Sequence, residues 1–144
     1  MRELSDETCL QGKSSLLYAL LGEMNLLQGR CFLPSPIVRE AGIDPARELT
    51  DTVAFCPQTP WLLNDTIRNN ILFGSAYNAR RYKRVLYACA LVPDLETLDL
   101  GDRTEVGEKG TVLSGGQKAR ISLARAIYSS AKVILLDDVL SAVE

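Results

Sequence analysis

Four apolar residues in a row, Val133-Ile134-Leu135-Leu136, run straight into two acids, Asp137-Asp138. A strand that faces water on one side alternates apolar and polar residues. A continuous apolar run reads instead as a strand buried on both faces, the habit of a parallel sheet sandwiched by helices. That reading selects an α/β chain, with helices supplying the crossovers between parallel strands. A charged turn closing the strand is all that the two acids require by themselves.

The rest of the chain agrees with strand, helices, then strand. Ser14 to about Leu27 reads as a helix, with Leu16, Leu17, Leu20, Leu21 and Met24 on one broad face. Pro34, Pro36, Gly42 and Pro45 predict loops over residues 28–50, with at most a short strand near Cys31–Leu33. Thr52-Val53-Ala54-Phe55-Cys56 is a short β-prone run ended by Pro57. From Thr66 to about Leu100 the pattern is helical, with Asn78 as a cap and Pro93 opening a shorter helix. Residues 101–112 read as a connecting loop. Ser114 to about Ser130 reads as a helix carrying Ala119, Leu123, Ala126 and Ile127 on one side.

Bulk composition narrows the function more than it reveals it. The chain has 144 residues, 47% of them hydrophobic, and a net charge of −2. That suits one globular domain and gives no electrostatic reason to expect nucleic acid as a partner. The one basic cluster, Arg80-Arg81-Lys83-Arg84, lies among Tyr82, Val85, Leu86 and Cys89 at helical spacing and reads as a solvated helix face. Cys9, Cys31, Cys56 and Cys89 are irregularly spaced, histidine is absent, and neither metal-ligand spacing nor a disulfide framework appears. Buried or idle thiols in a reducing compartment are the expectation. No apolar run approaches the roughly 18 residues of a membrane span.

Three stretches carry possible chemistry. Gly12-Lys13-Ser14, leading into an apolar helix, is the second half of a phosphate-binding loop. Leu113-Ser114-Gly115-Gly116-Gln117 opens a long helix, where two glycines let backbone N–H groups approach an anion. A glycine-rich helix start without a ligand fits that stretch alone equally well. The third is Val133–Asp138, since an apolar strand presenting an aspartate at its carboxyl end can hold Mg²⁺ beside phosphates. Asp138 would then stand where a general base polarises water.

In this order the three stretches resemble the nucleotide-binding domain of ABC transporters, whose signature is Leu-Ser-Gly-Gly-Gln. The stretch VAFCPQTPWLLNDTIRNNILFG is similar to the family's Q-loop region, TEVGEKG to the loop before the signature in its exporters, and LSAVE to the loop after the Mg²⁺ strand. The wording resembles most the first nucleotide-binding half of the multidrug-resistance-associated subfamily. The resemblance implies a P-loop NTPase (RecA-like) α/β core with an inserted helical subdomain, here incomplete. Residues 1–58 and 131–144 would form the partial core, and 59–130 the helical subdomain with the signature helix.

It further implies ATP and Mg²⁺ as cofactors. Gly12, Lys13, Ser14 and Ser15 would bind the nucleotide, with Lys13 on its β- and γ-phosphates. Ser14 and Asp137 would hold Mg²⁺, Gln58 would sense the metal and the attacking water, and Asp138 would be the base. Ser114, Gly115, Gly116 and Gln117 would clamp the γ-phosphate bound to a second nucleotide-binding domain. Trp61, Leu62 and Leu63 would meet a transmembrane domain, which puts the chain at the cytoplasmic face of a membrane.

The chain departs from that pattern at several positions. Glu7 and Leu10 stand where the phosphate loop has glycines, and Met1–Asp6 does not read as the strand that leads into it. Asp138 replaces a glutamate one methylene longer, Glu144 replaces an aspartate, and no histidine exists to act as the family's switch. The expectation is a truncated ATPase domain of an exporter with little turnover in isolation. The alternative is a non-catalytic fragment whose signature helix completes a partner's ATP site. A DNA-repair ATPase of the same superfamily fits less well, because no sustained heptad separates the phosphate motifs.

Overall fold

A computed structural model describes residues 12–25, 27–29, 50–107 and 112–139. The chain divides into two compact units, Met1–Pro34 and Ser35–Glu144. The expected strand near Cys31–Leu33 lies outside the described residues, as do Cys9, Cys31, Glu7, Leu10 and the stretch 140–144.

In the first unit, helix α1 spans Lys13–Leu20 and starts from Gly12, whose φ of 66° is left-handed. It stops well short of Leu27, and Gly22 is the reason. Gly22 sits at φ 80°. The Gly22 N–H donates to the Ala19 carbonyl at 3.2 Å and the Glu23 N–H to the Tyr18 carbonyl at 2.9 Å. That paired closure satisfies the last carbonyls and turns the chain out of the helix. No residue of α1 is buried, and Leu16 is 63% exposed.

In the second unit, β1 (Thr50–Cys56) pairs in parallel with β4 (Ala131–Leu136), with Val53 opposite Val133 and Cys56 opposite Leu136. The continuous apolar run is therefore a parallel strand, as its composition implies. Its two faces are not equally covered. Burial alternates along β4, leaving Ile134 38% and Leu136 42% exposed, so the expected two-sided burial holds on one face only.

Between the two strands come α2 (Ile67–Leu72), α3 (Ala79–Ala88), α4 (Val92–Glu96) and α5 (Gly115–Tyr128). Thr66 caps α2 by accepting from the Asn69 N–H, and Asn78 caps α3 by accepting from the Arg81 N–H at 3.0 Å. Such caps satisfy donors that a helix start otherwise leaves open. The stretch read as loop holds more order than expected. A 3-10 turn covers Gly101–Arg103, and β3 (Glu105–Val106) pairs antiparallel with β2 (Asp65–Thr66). Two-residue strands are too short for a periodicity to register.

Helix α5 is the centre of this unit. It packs against α2, α3 and β1. Ile121, Ser122, Leu123 and Ala124 are consecutive and all buried, so the helix is enclosed on several sides rather than along one stripe. Ile67, Ile71, Leu91, Ile121, Cys56 and Cys89 are among the most deeply buried side chains, together with the polar Asn70. Both thiols are free. Burial pushes the Cys89 thiol up to about 11 and raises that of Cys56 as well.

Candidate functional site

The carboxyl ends of β1 and β4 lie side by side, because the strands are parallel neighbours. Two residues beyond β1 comes Gln58, and directly beyond β4 come Asp137 and Asp138. The Asp137 N–H donates to the Cys56 carbonyl at 3.0 Å, which extends the ladder by one bond and fixes this acid. Asp137 is 5% exposed. Gln58 Nε2 donates to Asp138 Oδ2 at 3.4 Å. Asp138 itself holds a left-handed φ of 50°, a conformation that aspartate tolerates better than most residues. Three of the predicted site residues are thus gathered at one end of one strand pair.

The start of α5 is a second construction. Ser114 Oγ accepts from the Gln117 N–H at 3.2 Å, and Gln117 Oε1 accepts from the Ser114 N–H at 2.9 Å. This reciprocal box secures the end of the helix with its own side chains. Gln117 Nε2 also reaches Asp94 Oδ1 at 3.4 Å, and Arg120 clamps the same carboxylate at 2.8 and 3.0 Å. Gln117 is therefore occupied in holding the helix start. The donors that the box does not claim are the N–H groups of Gly115 and Gly116.

In the first unit, Gly12, Lys13, Ser14 and Ser15 form the opening of α1. Gly12 has no side chain to cap this helix start, and among the described residues a Cβ placed on it would meet nothing within 4 Å. A helix start whose cap residue has no side chain leaves N–H donors that an anion can satisfy.

The sequence comparisons fit this geometry. The family model for "ABC transporter" matches residues 11–141. The chain belongs to the ABC transporter family. It is 57% identical over 133 residues to the ABC transporter ATP-binding protein/permease VMR1 of Saccharomyces cerevisiae, covering 92% of this chain and 8% of that protein. The ATP-dependent bile acid permease of the same yeast is also 57% identical, with the same coverage. The multidrug resistance protein mrp-7 of Caenorhabditis elegans is 53% identical over 133 residues, again covering 92% of this chain and 8% of the relative. The chain thus spans about one-twelfth of the length of these relatives.

As an ABC transporter ATP-binding domain, the chain offers residues of the right kinds for a magnesium nucleotide. Gly12 gives α1 an uncapped start, which suits phosphate. Among the described residues no three or more carboxylate, thiol or imidazole groups form a metal cage. Mg²⁺ bound beside phosphates needs only one or two carboxylates, and in the second unit Asp137 is a carboxylate of that kind.

The apolar patch is broader than the sequence suggests. Trp61 is 47% and Leu63 48% exposed, whereas Leu62 packs partly against the core. Phe73, 51% exposed, joins them, its ring edge-on to Trp61 at 5.7 Å. Beneath lies Arg125, its guanidinium 4.0 Å from the centre of the Trp61 ring and donating to the Asn70 carbonyl at 2.8 Å. Burial lowers the pKa of this guanidinium. Asn70, fully buried, accepts from the Leu63 N–H at 2.8 Å and donates to the Leu63 and Thr66 carbonyls at 3.0 Å each. An asparagine inside the short helix Ile67–Leu72 was the available signal, since asparagine is a poor helix former without a tertiary task.

Proposed function

We propose that this chain binds and hydrolyses ATP as one nucleotide-binding domain of an exporter of the multidrug-resistance-associated kind. The observation that carries the reading is the gathering of Gln58, Asp137 and Asp138 at the carboxyl ends of β1 and β4. In open α/β sheets that edge is where ligands are handled. Residues 1–58 and 131–144 would serve as the RecA-like core and 59–130 as the helical subdomain.

In this proposal, Lys13 and the α1 N–H groups hold the β- and γ-phosphates, helped by Gly12 and Ser15. Ser14 and Asp137 would hold Mg²⁺, which would supply positive charge to neutralise the phosphates. Gln58 and Asp138 orient the attacking water, with Asp138 accepting its proton. Gly115 and Gly116 present their N–H groups, with the Ser114 hydroxyl, to the nucleotide of a second domain. The Gln117 side chain braces that end of the helix. Trp61, Leu63 and Phe73 form an exposed surface on a rigid base, suited to a transmembrane domain at the cytoplasmic face of a membrane.

Calorimetric titration with MgATP tests the nucleotide site. Binding by the native chain and its loss in Lys13→Ala are expected, and equal binding by both would sink the assignment. Turnover should be low, because Asp138 has a short reach and must hold a left-handed backbone. A second reading rests on α5 alone: its self-contained cap would let this chain complete a partner's ATP site without catalysis of its own. Stimulated hydrolysis by an added complete domain, lost in Ser114→Arg, would favour it.

A further inference from the structure

Helix α3 carries Arg80, Arg81, Lys83 and Arg84 and no acid, in a chain whose net charge is −2. Only one of the four cations is drawn into the fold. Arg81 donates to the Ser129 carbonyl and lies 5.5 Å from the centre of the Tyr128 ring, tying α3 to the end of α5. Arg80, Lys83 and Arg84 are exposed, and no ion pair among the described residues involves them. Their spacing sets them on one face of the helix, with Tyr87, 83% exposed, one turn further on.

A solvated basic helix needs nothing more, but here a recess runs beside the stripe. It has a volume of about 310 Å³ and lies between α3 and α5. Val85, Ala88 and Ile127 supply its apolar walls, and Arg81 and Arg84 stand at its rim. Apolar atoms inside a trough, with cations along its edge, complement a ligand that is apolar on one face and acidic on its flanks.

We propose that the α3–α5 groove docks an acidic amphipathic helix of a protein partner. Apolar side chains four residues apart on such a helix enter the groove against Val85, Ala88 and Ile127. Its carboxylates meet Arg81 and Arg84 at the rim, and the basic stripe of Arg80 and Lys83 beside them adds longer-range attraction. The recessed apolar surface argues for a helix over a lipid surface, since membrane contact favours apolar groups that protrude. The proposal is independent of nucleotide binding.

Fluorescence anisotropy tests it with the full chain and a labelled synthetic helix bearing leucines at four-residue spacing flanked by glutamates. A scrambled peptide of equal composition and vesicles of phosphatidylserine serve as competitors. Arg80→Glu, Lys83→Glu and Arg84→Glu together should weaken peptide binding by at least about tenfold, and added salt should weaken it too. Ala88→Trp, which fills the groove without changing charge, should cost about tenfold as well. Both variants change exposed positions, and circular dichroism verifies that they fold. Absence of binding, equal binding of the scrambled peptide, indifference to Ala88→Trp, or displacement of the peptide by vesicles would each overturn the proposal.

Discussion

The starts of α1 and α5 are both glycine-containing turns proposed to meet phosphate, yet they are built in opposite ways. At α5, Ser114 and Gln117 satisfy each other's backbone donors, Arg120 and Asp94 brace the turn, and the following residues are buried. At α1, Gly12 provides backbone shape and no side-chain cap, and none of the helix is buried. An end that satisfies itself keeps its geometry whether or not a ligand is present. An end that leaves its donors to water has more to gain from an anion, and ligand binding stabilises it by mass action. One helix presents a preformed surface; the other would gain the more from a bound anion.

The largest expected contrast is between their interiors. Ile121, 1% exposed, should lose about 2–5 kcal/mol of stability on replacement by alanine, through lost burial and a cavity. Leu16→Ala, at a residue 63% exposed, should change stability by under about 0.5 kcal/mol. Urea denaturation of both variants measures the two costs. Similar costs would mean that α1 is held as firmly as α5, and the contrast would fail.

Alkaline pH should act on the interior of the second unit. Cys89 is buried and its thiol is pushed up to about 11 from a reference of 9.0, so the folded state keeps a proton that the unfolded state releases. Stability from this group is therefore complete below about pH 9 and falls as pH rises through about 11, by roughly 3 kcal/mol. Cys56 and Tyr82 are raised in the same direction, chiefly by burial, with the nearby Asp102 carboxylate adding to Tyr82. Cys89→Val should flatten the decline between those limits in a pH series of urea melts. An unchanged slope would remove Cys89 as its source.

How much of this was legible beforehand depended on whether the signal was local. The cap at Asn78 and the helix start at Ser114 are properties of short stretches and occur as read, whereas the reciprocal bonds by which Ser114 and Gln117 close that start were not read. The parallel character of Ala131–Leu136 followed from its apolar composition, while its pairing with Thr50–Cys56 was not read. Gly22 also carries a local signal, but the leucines beyond it sustain helical spacing and mask the stop. The uneven covering of β4 was not legible, because burial is set by what packs on each face and not by the strand's own residues. Within the site, the nearness of Gln58 and Asp138 needed strand pairing across 80 positions. Phe73 joined the patch because Arg125, distant in sequence, lies against both its ring and that of Trp61.

Nucleotide affinity sharpens the contrast from the other end. Lys13→Ala should weaken MgATP binding by about tenfold or more, roughly 1.4 kcal/mol, while leaving the ligand-free urea midpoint unchanged. Lys13 is exposed and makes no contribution to the buried core, so its effect belongs to the bound state. A variant that binds normally, or that melts early without nucleotide, would contradict this division of roles.

The smallest expected effect discriminates best. Ser114→Ala removes the acceptor of the Gln117 N–H and should cost about 1 kcal/mol, whereas Ser114→Asp restores an acceptor and should recover most of it. If α5 is self-sufficient, that cost is the same with and without MgATP, since the chain's own nucleotide is not what holds this helix start. Gly12→Ala introduces a comparable strain of about 1 kcal/mol at a left-handed φ of 66°. Its cost should grow when MgATP is present, because the native loop then gains ligand stabilisation that the variant loses. Urea midpoints for both variants, each measured with and without MgATP, give the comparison directly. A nucleotide-dependent Ser114 cost would show that the two starts act on one ligand in this chain, and the opposition between them would dissolve.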